Sequence, residues 1–324
     1  MRIIKAFTLL AVLATLGWCA AWFAGSRALD RAITAGLAHV PEITAESHEI
    51  LGFPNRFDVT FTEPRINAGG VEWAAPFVQI FALTYRPHHL LAVFAHDQVL
   101  RAAGSEASLH TDDLRASLVM TPDLDLPLER FTLVGQHLAV LIDGATHRAD
   151  TLRLASRRTG DQQHEVALLA ENVFADTAVM ERRDPDGLWP RQYTEVRLDA
   201  ELEFDRPLDR HLFDGSEPTV TRLTLTGGRL AWGESTIGLA GRLTPGDTGQ
   251  LSGDIVLTIT GWTALMARTR AAGLLSDDNR GLLSPVLNAL AAEVRDDRLE
   301  VPLAVVDGDV RIGPLLLGSL PLLR

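Results

Sequence analysis

The nearest approach to a catalytic or metal-binding pattern in this sequence is a histidine group, His88-His89 followed by His96-Asp97. Imidazoles so close together could ligate zinc, but a closed site needs a further ligand brought in by folding. The group also follows Arg86-Pro87 and reads equally as a turn between strands with solvated rings. His48-Glu49 and His164-Glu165 each open like a zinc-protease helix. Both lack the second histidine four positions on, where Gly52 and Leu168 stand. Asp123, Asp125 and Glu129 lack the glycine and ligand spacing of a calcium loop and are expected on a solvated edge. Glu201 and Glu203 are two apart, so in a strand they share a face, which a solubilising surface and a glycosidase pair would show alike.

Other chemistries lack their residues. No Gly-x-Ser-x-Gly elbow occurs, and Lys5 is the sole lysine, so no phosphate loop with its lysine exists. Cys19 is the one cysteine and lies in the first apolar run, which leaves the rest of the chain without disulfide, thiolate nucleophile or cysteine-bound metal. A net charge of −12 disfavours nucleic acid as a partner, because phosphate binding needs a basic face. The expectation is therefore no catalytic residue, no metal site and no cofactor.

The elements that would position any site begin with Ala6–Gly25, twenty residues free of charge. As a helix this run extends about 30 Å, the thickness of a bilayer's hydrocarbon core. Arg2 and Lys5 precede it, which favours a cytoplasmic start and an exported remainder. Trp18, Trp22 and Phe23 gather at its far end, as in a membrane-interface belt. A cleaved signal peptide would want a better site than Cys19-Ala20-Ala21 before bulky Trp22, so a retained anchor over residues 1–25 is expected. A short juxtamembrane helix within residues 26–46 comes next, capped by Ser26, with Leu29, Ile33 and Leu37 at helical spacing and Pro41 near its end.

Beyond this the period becomes two. Phe57, Val59 and Phe61 alternate with polar neighbours, as do Val196, Leu198, Ala200, Leu202 and Phe204, and again Ile255, Leu257 and Ile259. Such runs, broken by Gly, Pro and Asp, predict antiparallel sheet with one face buried and one solvated through residues 47–260. Residues 181–192 form the best linker, dividing the body 47–324 into halves 47–185 and 190–324. Two late helices are expected, Thr263–Leu275 and Gly281–Val294. A hairpin turning at Asp307-Gly308 should come after them. The tail from Ile312 is too apolar for a solvated end and too broken by Gly313-Pro314 and Pro321 for a membrane span.

The run Gly52-Phe53-Pro54-Asn55-Arg56-Phe57-Asp58-Val59-Thr60-Phe61, the run Trp73-Ala74-Ala75-Pro76-Phe77, and Tyr85-Arg86-Pro87-His88-His89 carry a likeness. With the anchor and the closing Asp307–Gly318 they resemble an alphaproteobacterial envelope family catalogued as domain of unknown function 2125. The resemblance implies location and architecture and transfers no catalytic residues. A weaker likeness, over Leu223–Leu265, is to the AsmA-like proteins, which are similarly anchored and build long β-sheet grooves.

The fold class read from the sequence is mainly β (α+β): an antiparallel extracytoplasmic body with two late helices behind a single transmembrane helix. The expected place is the inner membrane, single-pass, with the body in the periplasm. The expected role is non-catalytic, structural or binding, with an apolar or lipidic ligand. The alternatives are a module recruiting an envelope protein partner through a sheet edge, or an enzyme using His88, His89 and His96.

Overall fold

The computed structural model describes residues 2–102, 104–177, 181, 190–213, 218–271, 292–313 and 315–322. Helix α1 (Arg2–His39) is one unbroken helix. Ser26 does not cap a second helix. Its hydroxyl donates to the Phe23 carbonyl at 3.1 Å, which lets a serine sit within the helix. The helix runs through Gly17, Gly25 and Gly36, and no proline occurs before Pro41 to stop it earlier. Leu29, Ile33 and Leu37 do share one half-buried stripe, together with Cys19 and buried Trp22.

The body is an antiparallel meander. Its strands are β1 (Ile43–Thr44), β2 (Ser47–Leu51), β3 (Arg56–Thr62), β4 (Arg65–Ala68), β5 (Val71–Ala74), β6 (Phe77–Leu83) and β7 (Arg86–Phe94). Next come β8 (Asp97–Ala102), β9 (Ser105–His110), β10 (Asp113–Met120), β11 (Leu128–Ile142), β12 (Ala145–Gly160), β13 (Gln163–Phe174) and β14 (Gln192–Phe204). The last are β15 (Val220–Trp232), β16 (Ser235–Pro245), β17 (Leu251–Thr260), β18 (Arg298–Val306), β19 (Asp309–Ile312) and β20 (Leu315–Ser319). Helix α2 (Trp262–Ala271) lies between β17 and β18 and is the first of the two late helices expected. The second, at 281–294, falls outside the described residues except for its last three.

From β11 onward each strand pairs with its sequence neighbours, through to β20. β13 and β14 pair from Gln163↔Glu203 to Phe174↔Gln192, so a single sheet runs through both halves of the body. The Asp307-Gly308 turn has φ of 50° and 85°, the paired positive values that a two-residue hairpin with this twist requires. The apolar tail is an edge strand: β20 pairs with β19, and Leu316 and Leu317 remain exposed.

Before β11 the strands are broken along a shared line. β3 and β4 are successive pieces of one long strand, as are β5 and β6, β7 and β8, and β9 and β10. The breaks fall at Glu63-Pro64, Ala75-Pro76, Ala95-His96 and Thr111-Asp112, and β11 carries His137 at φ 48° in line with them. Proline withholds a ladder donor, and the small Ala75 and Ala95 are buried there. The phase of alternation changes at His137: Phe131 and Leu133 precede it, whereas Leu138, Val140 and Ile142 come after it, while the β11–β12 register runs through unshifted. Thr111 is fully buried in the break and donates its hydroxyl to the Gln136 carbonyl at 2.9 Å.

Gly241 and Gly253 let β16 and β17 approach closely. A Cβ on Gly241 would lie 2.2 Å from the Asp254 carbonyl oxygen, and one on Gly253 would lie 2.1 Å from that of Arg242. Neither position tolerates a side chain without displacing backbone.

Candidate functional site

The register aligns apolar residues into rows that cross the sheet on one face. One row passes from Ile50 through Val59, Ile80, Ala92, Ala116 and Leu133. It continues through Leu154, Leu168, Leu198, Gly228, Leu239, Leu257 and Val301, with no polar side chain. A neighbouring row runs from Phe57 and Ala82 to Ile255 and Leu303 and meets one polar residue, Ser156. At a strand spacing of about 4.8 Å, a row from β2 to β18 is on the order of 60 Å long.

Its two ends are covered. At the β2–β3 end, Trp22 of α1 stacks on Phe57 with ring centroids 5.8 Å apart. At the other end Trp262, Leu265 and Met266 close over Ile255, Ile259, Leu299, Val301 and Leu303, the main cluster of buried residues. Between these ends Leu154, Leu168 and Leu225 are half-buried, Leu198 is 40 % exposed and Leu239 36 %. Among the described helices, none lies over this central stretch. Leucines side by side and still reached by water form a surface that gains by taking an apolar ligand.

The opposite face is ionic. Arg157 pairs with Glu165, Arg197 with Asp199 at 2.6 Å, and Arg222 with Glu203. Of two open hollows here, one of about 450 Å³ is lined by Glu201, Glu203, Arg222 and Arg242, and one of about 620 Å³ by Arg157, Glu165, Asp199 and Glu201 among others. Glu201 and Glu203 therefore belong to the solvated face.

His164 is a polar intruder in the apolar phase. Its register partners are Arg158 and Leu202, and it is 1 % exposed. Ser156 Oγ lies 3.0 Å from its Nδ1, and Phe204 meets the ring edge-on at 6.1 Å. Its Nε2 is buried with no hydrogen-bond partner among the described residues. Burial pushes this imidazole below its usual pKa, and the nearby Arg158 charge acts in the same direction against a smaller opposing effect from Glu129. Arg158 is itself held by Glu129 at 3.0 Å and by Thr121 at 3.1 Å.

The histidines singled out by spacing do not converge. His88 and His89 are adjacent in β7 and so project to opposite faces, and His89 meets Ser117 Oγ at 3.1 Å. His96 lies in the break after β7, about 26 Å along the strand from His88, with its Nδ1 2.8 Å from the Thr111 carbonyl. His48 meets Asp30 of α1 at 2.8 Å. Glu129 binds Arg158, and Asp125 lies 3.7 Å from Arg210. Among the described residues no three His, Cys, Asp or Glu are grouped to hold a metal ion. The spacing of His164-Glu165 gives no sign of the imidazole's burial, but the phase of His164 with Val166, Leu168 and Ala170 does carry one.

In comparisons with known proteins, residues 18–321 match the family described as "Uncharacterized protein conserved in bacteria (DUF2125)". No curated protein matches the chain.

Proposed function

The chain belongs to the DUF2125 family, and from that premise we propose that it is an inner-membrane, single-pass envelope protein whose periplasmic sheet holds an apolar ligand, without catalysis. The observation that carries this reading is the exposure at the centre of the apolar face, where no described helix lies and Leu198 is 40 % exposed. A lipid's acyl chain is the ligand chemistry that fits it. The face offers leucine rows with a single hydroxyl, and acyl chains need area and no hydrogen bonds. The anchor supports the setting: α1 is long and apolar enough to cross a membrane, and Arg2 and Lys5 ahead of it favour export of the sheet.

A photo-crosslinking side chain at Leu198, in the full chain in living cells, tests the ligand. The expected product is a lipid-mass adduct from Leu198 and none from the neighbouring Arg197 on the ionic face. Equal lipid labelling at both positions, or none at Leu198, sinks the reading. Protease added to spheroplasts tests the compartment, since a protected body would lie on the cytoplasmic side.

A second reading, recruitment of an envelope protein by edge pairing, rests on β20, which pairs with β19 and carries exposed Leu316 and Leu317 on its two faces. The same crosslinker at Leu316 would then capture one defined polypeptide while Leu198 captures no lipid.

A further inference from the structure

The membrane helix and the sheet are joined along a line that fixes how deep the body sits. Trp18 Nε1 donates to the Pro54 carbonyl at 3.0 Å, and Trp22 Nε1 donates to that of Arg56 at 2.9 Å. Further along, Gly25 lies against Phe57, and Asp30 meets His48, the register partner of Phe61. From Trp18 to Asp30 the helix therefore tracks β3 in the same direction. Residues ahead of Trp18 project past the turn between β2 and β3.

That projecting piece is too short for a bilayer. Residues 2–17 as helix extend about 24 Å, and the uncharged part from Ala6 extends about 18 Å. The hydrocarbon core is about 30 Å thick. Trp18, Trp22 and Phe23 belong to the uncharged run that must complete the span, and Phe53 packs on both Trp22 and Phe23 at 5.3 and 5.5 Å. The helix cannot cross while these contacts hold unless the β2–β3 turn comes down to the lipid boundary with it.

The neighbouring turns at this end of the meander are dressed for the same place. The Thr84 amide donates to the Asn55 carbonyl at 3.0 Å, tying the β6–β7 turn to the β2–β3 turn. The β10–β11 loop comes next, because Val119 pairs with His89 near the start of β7. Their large apolar side chains face solvent: Leu51 is 55 % exposed, Phe53 49 %, Tyr85 62 % and Leu124 83 %. Exposed aromatic and leucine side chains on adjacent turns, beside a helix whose uncharged run ends in Trp18, Trp22 and Phe23, match the chemistry of the headgroup–acyl boundary.

We infer that the sheet end formed by Leu51–Asn55, Thr84-Tyr85 and the 121–127 loop is seated in the lipid interface of the membrane that α1 spans. The apolar face then begins at the level of the lipids instead of above them. This rests on the anchor reading, and the test separates the two. In the full chain carrying Cys19→Ser, a nitroxide is attached at Leu10→Cys, Tyr85→Cys, Leu124→Cys or Val71→Cys, the last beside the turn at the opposite end of the sheet. The protein is reconstituted in phosphatidylethanolamine–phosphatidylglycerol vesicles, and accessibility to oxygen is compared with accessibility to a water-soluble nickel chelate.

The expected result is oxygen-dominated relaxation at positions 10, 85 and 124 and chelate-dominated relaxation at 71. If Leu10→Cys reports lipid while positions 85 and 124 behave like 71, the seating is wrong and the anchor stands. If Leu10→Cys reports water, both fall. Lipid contact at 71 as well would mean that no particular end is seated, which also overturns the inference.

Discussion

Replacing Trp22 by alanine should detach the sheet from its helix without melting either. Trp22 is 8 % exposed, stacked on Phe57 and edge-on to Phe53. A buried tryptophan removes roughly 150–250 Å² from water, worth about 4–6 kcal/mol at about 25 cal/mol per Å². Its Nε1 bond to the Arg56 carbonyl adds about 1 kcal/mol net. Some of the area is covered by Phe23 of the same helix and survives undocking, so the loss of docking free energy should be about 3–5 kcal/mol. At tenfold per about 1.4 kcal/mol, undocking becomes on the order of a hundred- to several-thousand-fold more frequent. Hydrogen exchange of the β2 and β3 amides, with the full chain in lipid nanodiscs, reads this directly, while β16–β18 amides serve as the reference. Trp22→Phe keeps a ring over Phe57 but loses the bond and some area, so its effect should be clearly smaller. If Trp22→Ala left exchange in β2 and β3 within about twofold of the parent, the clamp would carry no free energy. The docking of the body on α1 would then rest on the Trp18 and Asp30 contacts.

The remaining expectations concern the body. His164 is held below its usual pKa by burial, so between its folded pKa and about 6.5 the unfolded chain binds more protons. Stability should therefore fall as pH drops below about 6.5, with a slope approaching 1.4 kcal/mol per unit from this group. His164→Leu should flatten that part of the profile in urea titrations between neutral and mildly acidic pH, and an unchanged slope would refute the assignment. Leu299 is fully buried beneath α2 in the end cluster, and Leu299→Ala should cost about 2–5 kcal/mol, read as a lower Tm. A loss below about 0.5 kcal/mol would mean that the cluster is loosely packed.

Local pattern made much of this molecule legible. The uncharged run specified α1, because a stretch without charge or proline has helix and membrane as its best solutions. Alternation specified the strands and their two unlike faces, and Asp307-Gly308 specified a hairpin, because these depend on residues a few positions apart. The Ser26 cap failed for a related reason: serine favours a helix start only where the preceding backbone leaves the helix, and nothing upstream makes it do so.

Only the tertiary pairing decided the rest. That Leu154, Leu168, Leu198, Leu239 and Leu257 form one row depends on five registers, three of which carry a bulge. The break line depends on irregularities in separate strands lying abreast, and no single strand announces that. The leucine tail reads as merely apolar until β19 is beside it to make it an edge strand. The histidines show the limit from the other side: His88, His89 and His96 are close in sequence and, strands being extended and two-faced, distant in space. His164 is marked in the sequence only by its phase with Val166, Leu168 and Ala170. Its burial comes from strands and loops folded against it, which alternation could flag as a polar residue in the apolar phase but could not enclose.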